Sequence, residues 1–424
     1  MSSRLARRLG FFSLAVYGVG DILGAGIYAL VGKVVGSAGS GAWLTFLVAA
    51  VVAGLTGLSY AELTARFPVA GGAAAFVGRA FPGRLAGTMI GVLVLGTGLV
   101  SASTVTVAFG NYLQEIFPAF PPIVARIALV AAMSFLSFWG IQESARVNTV
   151  LTTVEVGGLI AVIVAGFVGV GSQDLGAFAA KLLHDWTLPG VIGGITVAFY
   201  AYIGFEDLSN LADESKNPAR DLPRAILIAL AIATILYISV ALVLLLHVPK
   251  ESIGESKTPL LLVFEAVGWT KVPQYFAIVA ILAIANTGLV NLIMASRLMY
   301  GMSEEKLLPP AFGLVHAKRS TPWMGVLVAG GLVLLLVFTG SLKILAQTTS
   351  LLILGVFFFV HLSLLKVKKR REPHGGIVVP WVCPILGALT CVALVFTFPA
   401  EVFLRSAILL GLGFLVWLIQ RKTK

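Results

Sequence analysis

The sequence contains little of what metalloproteins and disulfide-linked secreted proteins depend on. Among 424 residues there are two cysteines and five histidines, and only 12% of the residues are charged. Cys383 and Cys391 fall on one predicted helix, about 12 Å apart along its axis, which is too far for a disulfide. The histidines are scattered over different loops and helices, without the spacing of metal ligands. We therefore expect no disulfide, no metal site and no cofactor.

Long apolar runs take the place of these features. Hydrophobic residues make up 58% of the chain, and apolar stretches recur at the length of about 20 residues that crosses a bilayer. This pattern predicts an all-α integral membrane protein, embedded in lipid, with about 12 transmembrane helices. The predicted spans are residues 11–35, 42–65, 84–112, 122–142, 148–171, 189–211, 224–247, 274–300, 322–340, 343–366, 377–399 and 401–420.

The net charge of +11 follows the predicted topology. Most of the thirty Lys and Arg residues fall on alternate loops, and such asymmetry places the basic loops and both termini on the cytoplasmic side of the plasma membrane. Because topology accounts for the charge, we expect no nucleic acid partner. The basic run at residues 366–371 could contact anionic lipid, but we interpret it as a simple stop-transfer signal.

Two predicted spans are interrupted at corresponding places. Gly24-Ala25-Gly26-Ile27 interrupts the first span, and residues 201–206 interrupt the sixth, five spans later. Glycine opens the backbone at no steric cost, although membrane glycines also serve close helix packing. Unwound backbone persists in hydrocarbon only where it lines a cavity or meets a ligand. Matching breaks in two halves of a chain therefore predict the substrate site of a transporter.

The broken ends suit the two charged groups of an α-amino acid. A half-helix beginning after the first break offers free N–H groups to a carboxylate, and the second break offers free carbonyls to an ammonium group. Such backbone recognition predicts the class of substrate but not the identity of the substrate side chain. Small and hydroxyl residues at 96–106 leave room for a medium or large side chain, and we slightly favour neutral amino acids. The predicted substrate-binding residues are Gly24, Ala25, Gly26, Ile27, Tyr200, Ala201, Tyr202, Ile203 and Gly204.

Several further motifs appear in a recognisable order. They are GDILGAGIY at 20–28, YAEL at 60–63, FPVAGG at 67–72, SARVN at 144–148, FYAYIGFE at 199–206, NP at 217–218 and DLPRAI at 221–226. This set resembles the amino acid, polyamine and organocation (APC) superfamily, and is most similar to the cationic amino acid transporter group and its bacterial relatives.

The resemblance implies a leucine-transporter-like fold of two inverted five-helix repeats with helices 1 and 6 unwound. The repeats would be residues 1–171 and 189–366, followed by two accessory helices at 377–420. The resemblance also implies that the substrate carboxylate contacts Ala25 and Gly26. The substrate amine would contact the carbonyls of Tyr200, Ala201 and Ile203. An aromatic residue of the sixth span would gate the site. Either Tyr200 or Tyr202 could take that part, or be an ordinary packed aromatic.

Two carboxylates lie deep in the predicted spans. Asp21 and Glu155 would be roughly 15 and 11 Å from the cytoplasmic face at 1.5 Å per residue, a depth typical of proton relays, ion ligands or polar pairing. In the family pattern, Glu155 stands where proton-coupled relatives carry a lysine, so a lysine-based mechanism does not transfer. We predict that Glu155, with Asp21 nearby, takes up a coupling proton. The alternative is a sodium site completed by Asn286 and Thr287.

The sequence thus predicts a secondary active amino acid transporter, a proton-coupled symporter working by alternating access. Sodium-coupled symport, exchange, and a substrate-sensing receptor are the alternatives. A channel would carry repeated selectivity loops or rings of charge, and an enzyme would carry a nucleophile with its base, so we expect neither. Glu62, Glu206 and Asp207 are predicted gating residues near the cytoplasmic ends of their spans, with static ion pairing as the equal alternative.

Overall fold

The computed structural model describes residues 7, 9–69, 71–82, 84–171, 175–256, 258–269, 271–304, 307–339, 342–370 and 376–422. Some helical residues are described by their backbone alone. The side chains outside the description are those of residues 25, 29, 84, 115, 141–145, 181, 273–274, 342–343, 409, 412–413, 416–417 and 419–422.

The regular structure of the described residues is helical. Three short 3₁₀ segments, Gly39–Gly41, Phe205–Leu211 and Pro310–Gly313, accompany sixteen α-helices. The helices are α1 (Phe11–Ala38), α2 (Ala42–Arg66), α3 (Gly72–Ala80), α4 (Arg84–Ile116), α5 (Pro122–Trp139), α6 (Ile141–Val168), α7 (Leu175–His184), α8 (Leu188–Tyr200), α9 (Pro218–His247), α10 (Lys250–Glu255), α11 (Leu261–Ala266), α12 (Val272–Glu304), α13 (Trp323–Val337), α14 (Leu342–Lys369), α15 (Val382–Val395) and α16 (Ala400–Lys422).

Each predicted span overlaps a helix, but not every helix is long enough to cross a bilayer alone. Among the described residues, nine helical stretches have the length and apolar composition of a span, or ten if α15 and the start of α16, bent by 111°, count as one. Helix α13 has only 15 residues, about 22 Å at 1.5 Å per residue. The protein is therefore a multi-pass helical membrane protein, and the number twelve stays a prediction.

Local sequence sets several of the helix starts. Pro122 opens α5 and Pro218 opens α9, positions where the missing proline N–H costs no helical hydrogen bond. Helix α8 begins after Thr187, whose hydroxyl accepts a hydrogen bond from the Gly190 N–H at 3.3 Å, as an N-cap does. The Thr187 cap fixes where α8 begins, and the helix has 13 residues before its interruption after Tyr200.

Helix α1 lies at the centre of the bundle. It packs against α6, α8, α9 and α12, while α4 packs against α12 and α14, and α2 against α8 and α9. Helices α15 and α16 lie further out, against α2, α4 and α14. Large apolar side chains such as Phe135, Ile235 and Leu335 remain exposed on the outer helices, as expected for surfaces that face lipid. The fold thus buries the middle of the first span among other helices, where a cavity next to it is shielded from lipid.

Candidate functional site

The first helix is broken at Gly24. This residue has φ −13° and ψ −131°, outside helical values, within an otherwise helical α1. A Cβ at Gly24 would collide with the Thr287 side chain of α12, and a Cβ at Gly20 would collide with Thr152 of α6. Glycine is therefore required at both positions because neighbouring helices touch the backbone itself.

A second break follows α8. The α-helix ends at Tyr200, a turn covers residues 201–204, and a 3₁₀ segment continues from Phe205. Gly204 has a φ of +130°, and a Cβ built there would come within 2.9 Å of the Asp21 backbone carbon. Both the left-handed backbone and the close approach demand glycine at this position.

The two breaks meet in space. A Cβ on Gly26 would lie 2.6 Å from the Ala201 Cα, so the chain segments touch backbone to backbone. The Tyr237 hydroxyl of α9 lies 2.6 Å from the Ile22 carbonyl oxygen and 2.8 Å from that of Ala201. It donates its proton between these acceptors, one from each interrupted helix. One side chain therefore ties the two breaks together.

A small cavity lies beside the joined breaks. Its volume is about 20 Å³, counted as space for the centre of a water molecule, which is room for about one water. A bound amino acid would need this space to widen. The residues lining it are Asp21, Ile22, Gly26, Val94, Thr97, Gly98, Ser101, Tyr200, Ile203, Gly204, Glu206, Asp207, Thr287, Asn291 and Ile353.

Several predicted substrate-binding residues line this cavity, namely Gly26, Tyr200, Ile203 and Gly204. The predicted residues Gly24, Ile27, Ala201 and Tyr202 are buried behind the wall. Only the backbone of Ala25 is described. The two candidate gating tyrosines differ: Tyr200 faces the cavity and bonds to Ser101 at 3.2 Å, whereas Tyr202 packs on Tyr237 and donates to the Phe46 carbonyl. Of these two tyrosines, Tyr200 is therefore the one at the cavity.

Three carboxylates share the cavity wall, and the described lining residues include no Lys, Arg or His. Glu206 accepts a hydrogen bond from the Gly204 N–H at 2.9 Å, and Asp207 accepts one from the Asn210 amide at 3.3 Å. The Asp21 Oδ2 atom is buried without a hydrogen-bond partner in the described structure. Asp21, predicted to serve ion coupling, therefore lies at the cavity with two acidic neighbours.

Glu155 belongs to a separate polar cluster, set back from the cavity wall. Neither carboxylate oxygen has a partner within 3.5 Å among the described residues, and the Asn286 amide is a polar neighbour with an unpartnered Oδ1. Asn286 donates to the Thr152 hydroxyl at 3.2 Å, while the Tyr28 hydroxyl donates to the Glu155 backbone carbonyl at 2.7 Å. The fold thus separates Asn286, next to Glu155, from Thr287, which lines the cavity.

Glu62 lies in a closed ion-pair network away from the cavity. Its carboxylate is 2.7 Å from Arg66 on the same helix and 2.7 Å from Lys368 on α14. It also accepts a hydrogen bond from the Val379 N–H at 2.8 Å, and Lys368 donates to the Val379 carbonyl. Part of the basic run at 366–371 is therefore buried in protein contacts. Among the predicted gating residues, only Glu206 and Asp207 lie at the cavity.

Two residues of the site had no recognisable signal in the sequence. Tyr237 lies on α9 within an ordinary apolar span, and Asn291 lies on α12 one turn from Thr287, whose backbone carbonyl accepts from its amide at 2.9 Å. A single polar side chain in a membrane helix is a weak indication of function. Only the helix arrangement shows that Tyr237 bonds to both breaks and that Asn291 lines the cavity.

Replacing Tyr237 by phenylalanine is expected to loosen the contact between the breaks. The substitution keeps the ring and leaves two buried carbonyls without their donor, which costs about 1–3 kcal/mol of folding free energy. A lower melting temperature and weaker substrate binding are expected in purified protein. Tyr275→Phe, which removes a largely exposed hydroxyl, is the control. Equal melting temperatures and affinities for the two variants would contradict the assigned role.

Comparison with known proteins agrees with this geometry. A sequence profile described as amino acid permease matches residues 9–409. The chain is 28% identical to the branched-chain amino acid permease BcaP of Bacillus subtilis (strain 168), covering 99% of the chain and 94% of that protein. It is 27% identical to the methylthioribose transporter of the same organism, over 99% and 95%.

A plant relative extends the comparison. Cationic amino acid transporter 9, chloroplastic, of Arabidopsis thaliana is 32% identical over 74% of the chain, which spans 58% of that longer protein. The resemblance inferred from the motifs is thereby confirmed, and the relatives are transporters. With the profile extending over nearly its whole length, the chain belongs to the amino acid permease family of the APC superfamily.

Proposed function

We propose that this protein is a secondary active transporter that carries amino acids across the cytoplasmic membrane by proton-coupled symport. The observation that carries the proposal is the contact between two interrupted helices, Gly26 against Ala201, beside a shielded polar cavity. Backbone groups freed inside a membrane need a ligand, a side chain or water. A transported zwitterion satisfies both kinds of freed group at once.

The proposed architecture is the leucine-transporter-like inverted repeat. Residues 1–171 would form the first repeat, residues 189–366 the second, and 377–420 the accessory helices. Support comes from the position of the breaks, since the first falls within α1 and the second directly follows α8, the first spans of the two proposed repeats. With both termini in the cytoplasm, the second half of α1 faces outward.

Alternating access is supported by the difference in space between the outward end of α1 and the central cavity. A wider cavity of about 570 Å³ lies at the outward end of α1, lined also by residues of α8, α10 and α14. The central cavity next to Tyr200 has room for about one water. We interpret this conformation as open toward the outside and contracted at the substrate site. Substrate would enter from the wide side, and the central cavity would expand around it.

Within the site, the substrate carboxylate would bind the N–H groups of Ala25 and Gly26, at the start of the half-helix that follows Gly24. The ammonium group would lie near the carbonyls of Tyr200, Ala201 and Ile203. Nearby carboxylates of the cavity wall would attract the same positive charge. The substrate side chain would point toward Thr97 and Ser101 of α4. The similarity to a branched-chain amino acid permease supports a neutral substrate.

Glu155 is the proposed coupling group. Its carboxylate is fully buried and unpartnered among the described residues. Holding a charge in such a place is costly even with the Asn286 amide as a neighbour, so burial favours the protonated carboxyl. Asp21 lies within electrostatic range, so ammonium binding at the cavity would couple to proton occupancy at Glu155. The same oxygens, with Asn286 Oδ1, could instead bind sodium, since hard oxygen ligands suit that ion too.

A gradient experiment separates the two ions. In proteoliposomes with equal sodium on both sides, one pH unit, acid outside, should drive about tenfold accumulation of a labelled neutral amino acid if one proton accompanies each substrate. The substrate would be chosen by a thermal-shift screen of the twenty amino acids. A sodium gradient at symmetric pH should drive none. Uptake that requires sodium and ignores the pH gradient would overturn proton coupling and favour the sodium site.

A further inference from the structure

A second group of buried polar side chains lies on the cytoplasmic side of the cavity. The Tyr17 hydroxyl, Glu214 Oε1, Ser215 Oγ and Arg297 Nε are all buried without a hydrogen-bond partner in the described structure. All four residues are buried. Buried polar atoms in proteins are almost always satisfied, commonly by ordered water. These atoms, on residues of which Tyr17, Glu214 and Arg297 interact electrostatically, offer the polar partners that ordered water needs, and we call this group of side chains the hydrated chamber.

Helix geometry connects this chamber to the cavity. Tyr17 precedes Asp21 by four residues on α1, so the two side chains lie on one face, one turn apart. Electrostatic interactions join Tyr17 to Asp21, Arg297, Asp207 and Glu214. Tyr17 thus stands between the carboxylates of the cavity and the groups nearer the cytoplasm.

The far end of the chamber is closed by the chain just before α1. Leu9 donates its N–H to the Glu214 carbonyl at 2.9 Å and accepts from the Lys216 N–H at 2.9 Å. These bonds hold the turn that carries Glu214 over the chamber. Asp213, the residue before Glu214, is exposed on the cytoplasmic face. The chamber is therefore one short turn away from cytoplasmic water.

Glu214 is placed to exchange protons with that water. It lies beyond the membrane-spanning part of the sixth segment. Burial raises the pKa of the Glu214 carboxyl, Arg297 acts in the opposite direction, and Asp213 adds to the increase. Burial outweighs the arginine, so the carboxyl holds a proton more readily than an exposed glutamate. Arg297 opposes this and favours release of that proton.

We propose that Tyr17 and Glu214 form the cytoplasmic release path of the coupling proton, running from Glu155 past Asp21 through the hydrated chamber. The proposal rests on the proton coupling proposed above. Water at the Tyr17 hydroxyl passes the proton on, because the hydroxyl accepts one hydrogen bond while donating another and keeps no net charge. The Glu214 carboxylate takes up the proton and then gives it to cytoplasmic water.

The test compares net uptake with exchange. Glu214→Gln and Tyr17→Phe are expected to slow pH-driven net uptake about a hundredfold, near the lower end of what loss of a proton-transfer group costs. Counterflow exchange at equal pH should stay within about twofold of wild type, because exchange needs no proton release. The rate in Glu214→Gln should also lose its dependence on the pH inside the vesicle, which a purely structural effect would not cause. Glu265→Gln, which replaces an exposed carboxylate on α11 that does not act on Glu214, should behave as wild type.

Net uptake that is unchanged in both variants would overturn the release path. If Glu214→Gln loses exchange as well, Glu214→Asp and Tyr17→Phe take its place in the test. The path is supported if Tyr17→Phe shows normal exchange but slowed net uptake that neither more substrate nor added sodium restores. Normal net uptake in Tyr17→Phe contradicts the path. Failure of the proposed function looks different. In that case wild-type protein itself would not respond to a pH gradient.

Discussion

Glutamine in place of Glu155 should abolish concentrative uptake while leaving exchange. Glutamine is nearly the same size as the protonated acid and cannot release a proton. The buried site, unpartnered among the described residues, would therefore stay permanently in its neutral state. We expect the accumulation ratio under one pH unit to fall from about tenfold to about one, with counterflow at a rate similar to wild type. Both are measured with labelled substrate in proteoliposomes.

Thr153→Ala is the matched control for this experiment. Thr153 lies two positions away on α6 with its side chain exposed, and its hydroxyl bonds only to the helix backbone in the described structure. The control should accumulate substrate normally. Retained concentrative uptake in Glu155→Gln would remove Glu155 from the coupling mechanism and return attention to Asp21. Loss of both accumulation and exchange would point to substrate binding or folding.

The second large effect is expected from Gly26→Ala. The added Cβ would meet the Ala201 backbone at 2.6 Å and its side chain at 2.8 Å, and neither can rotate away. Separating the two breaks should cost roughly 1–3 kcal/mol, equivalent to about a 5–150-fold loss of substrate affinity. Equilibrium binding of labelled substrate to purified protein measures the loss directly. Gel filtration and thermal unfolding establish that the variant is folded.

Gly331→Ala provides the comparison. Gly331 lies in α13, and a Cβ there would meet nothing within 4 Å. Glycine to alanine within a helix is normally neutral or stabilising, so this variant should bind substrate as wild type does. Similar affinities for the two variants would mean that the contact at Gly26 does not shape the site.

Some features of the protein could be predicted from sequence because they depend on local composition. Apolar run length indicates a membrane helix wherever its neighbours lie. Glycine density located the interruptions near Gly24 and Gly204, since backbone freedom is a property of the residue itself. The predicted break around residues 24–27 was wider than the observed one, where Gly24 is the non-helical residue of α1.

Counting residues places Asp21 and Glu155 at similar heights along their helices, which is why the sequence suggests that they act together. It does not predict which way each side chain faces. In the structure Asp21 lines the cavity with Glu206 and Asp207, whereas Glu155 lies beside Asn286. A count of residues gives a height of 1.5 Å per residue. It does not give the rotation and register of one helix against another, which come from side-chain packing.

The sequence by itself therefore determined the class of protein, the family and the two interrupted helices. The tertiary structure decided which polar groups come together: Tyr237 bonds to both breaks, Lys368 pairs with Glu62, and Tyr17 lies within electrostatic range of Glu214. Each of these meetings joins residues from distant parts of the chain. Apolar patterning states only which face of a helix is buried, and many packings bury the same faces. Close packing of all the helices together selects one of them, and with it the partner of each polar side chain.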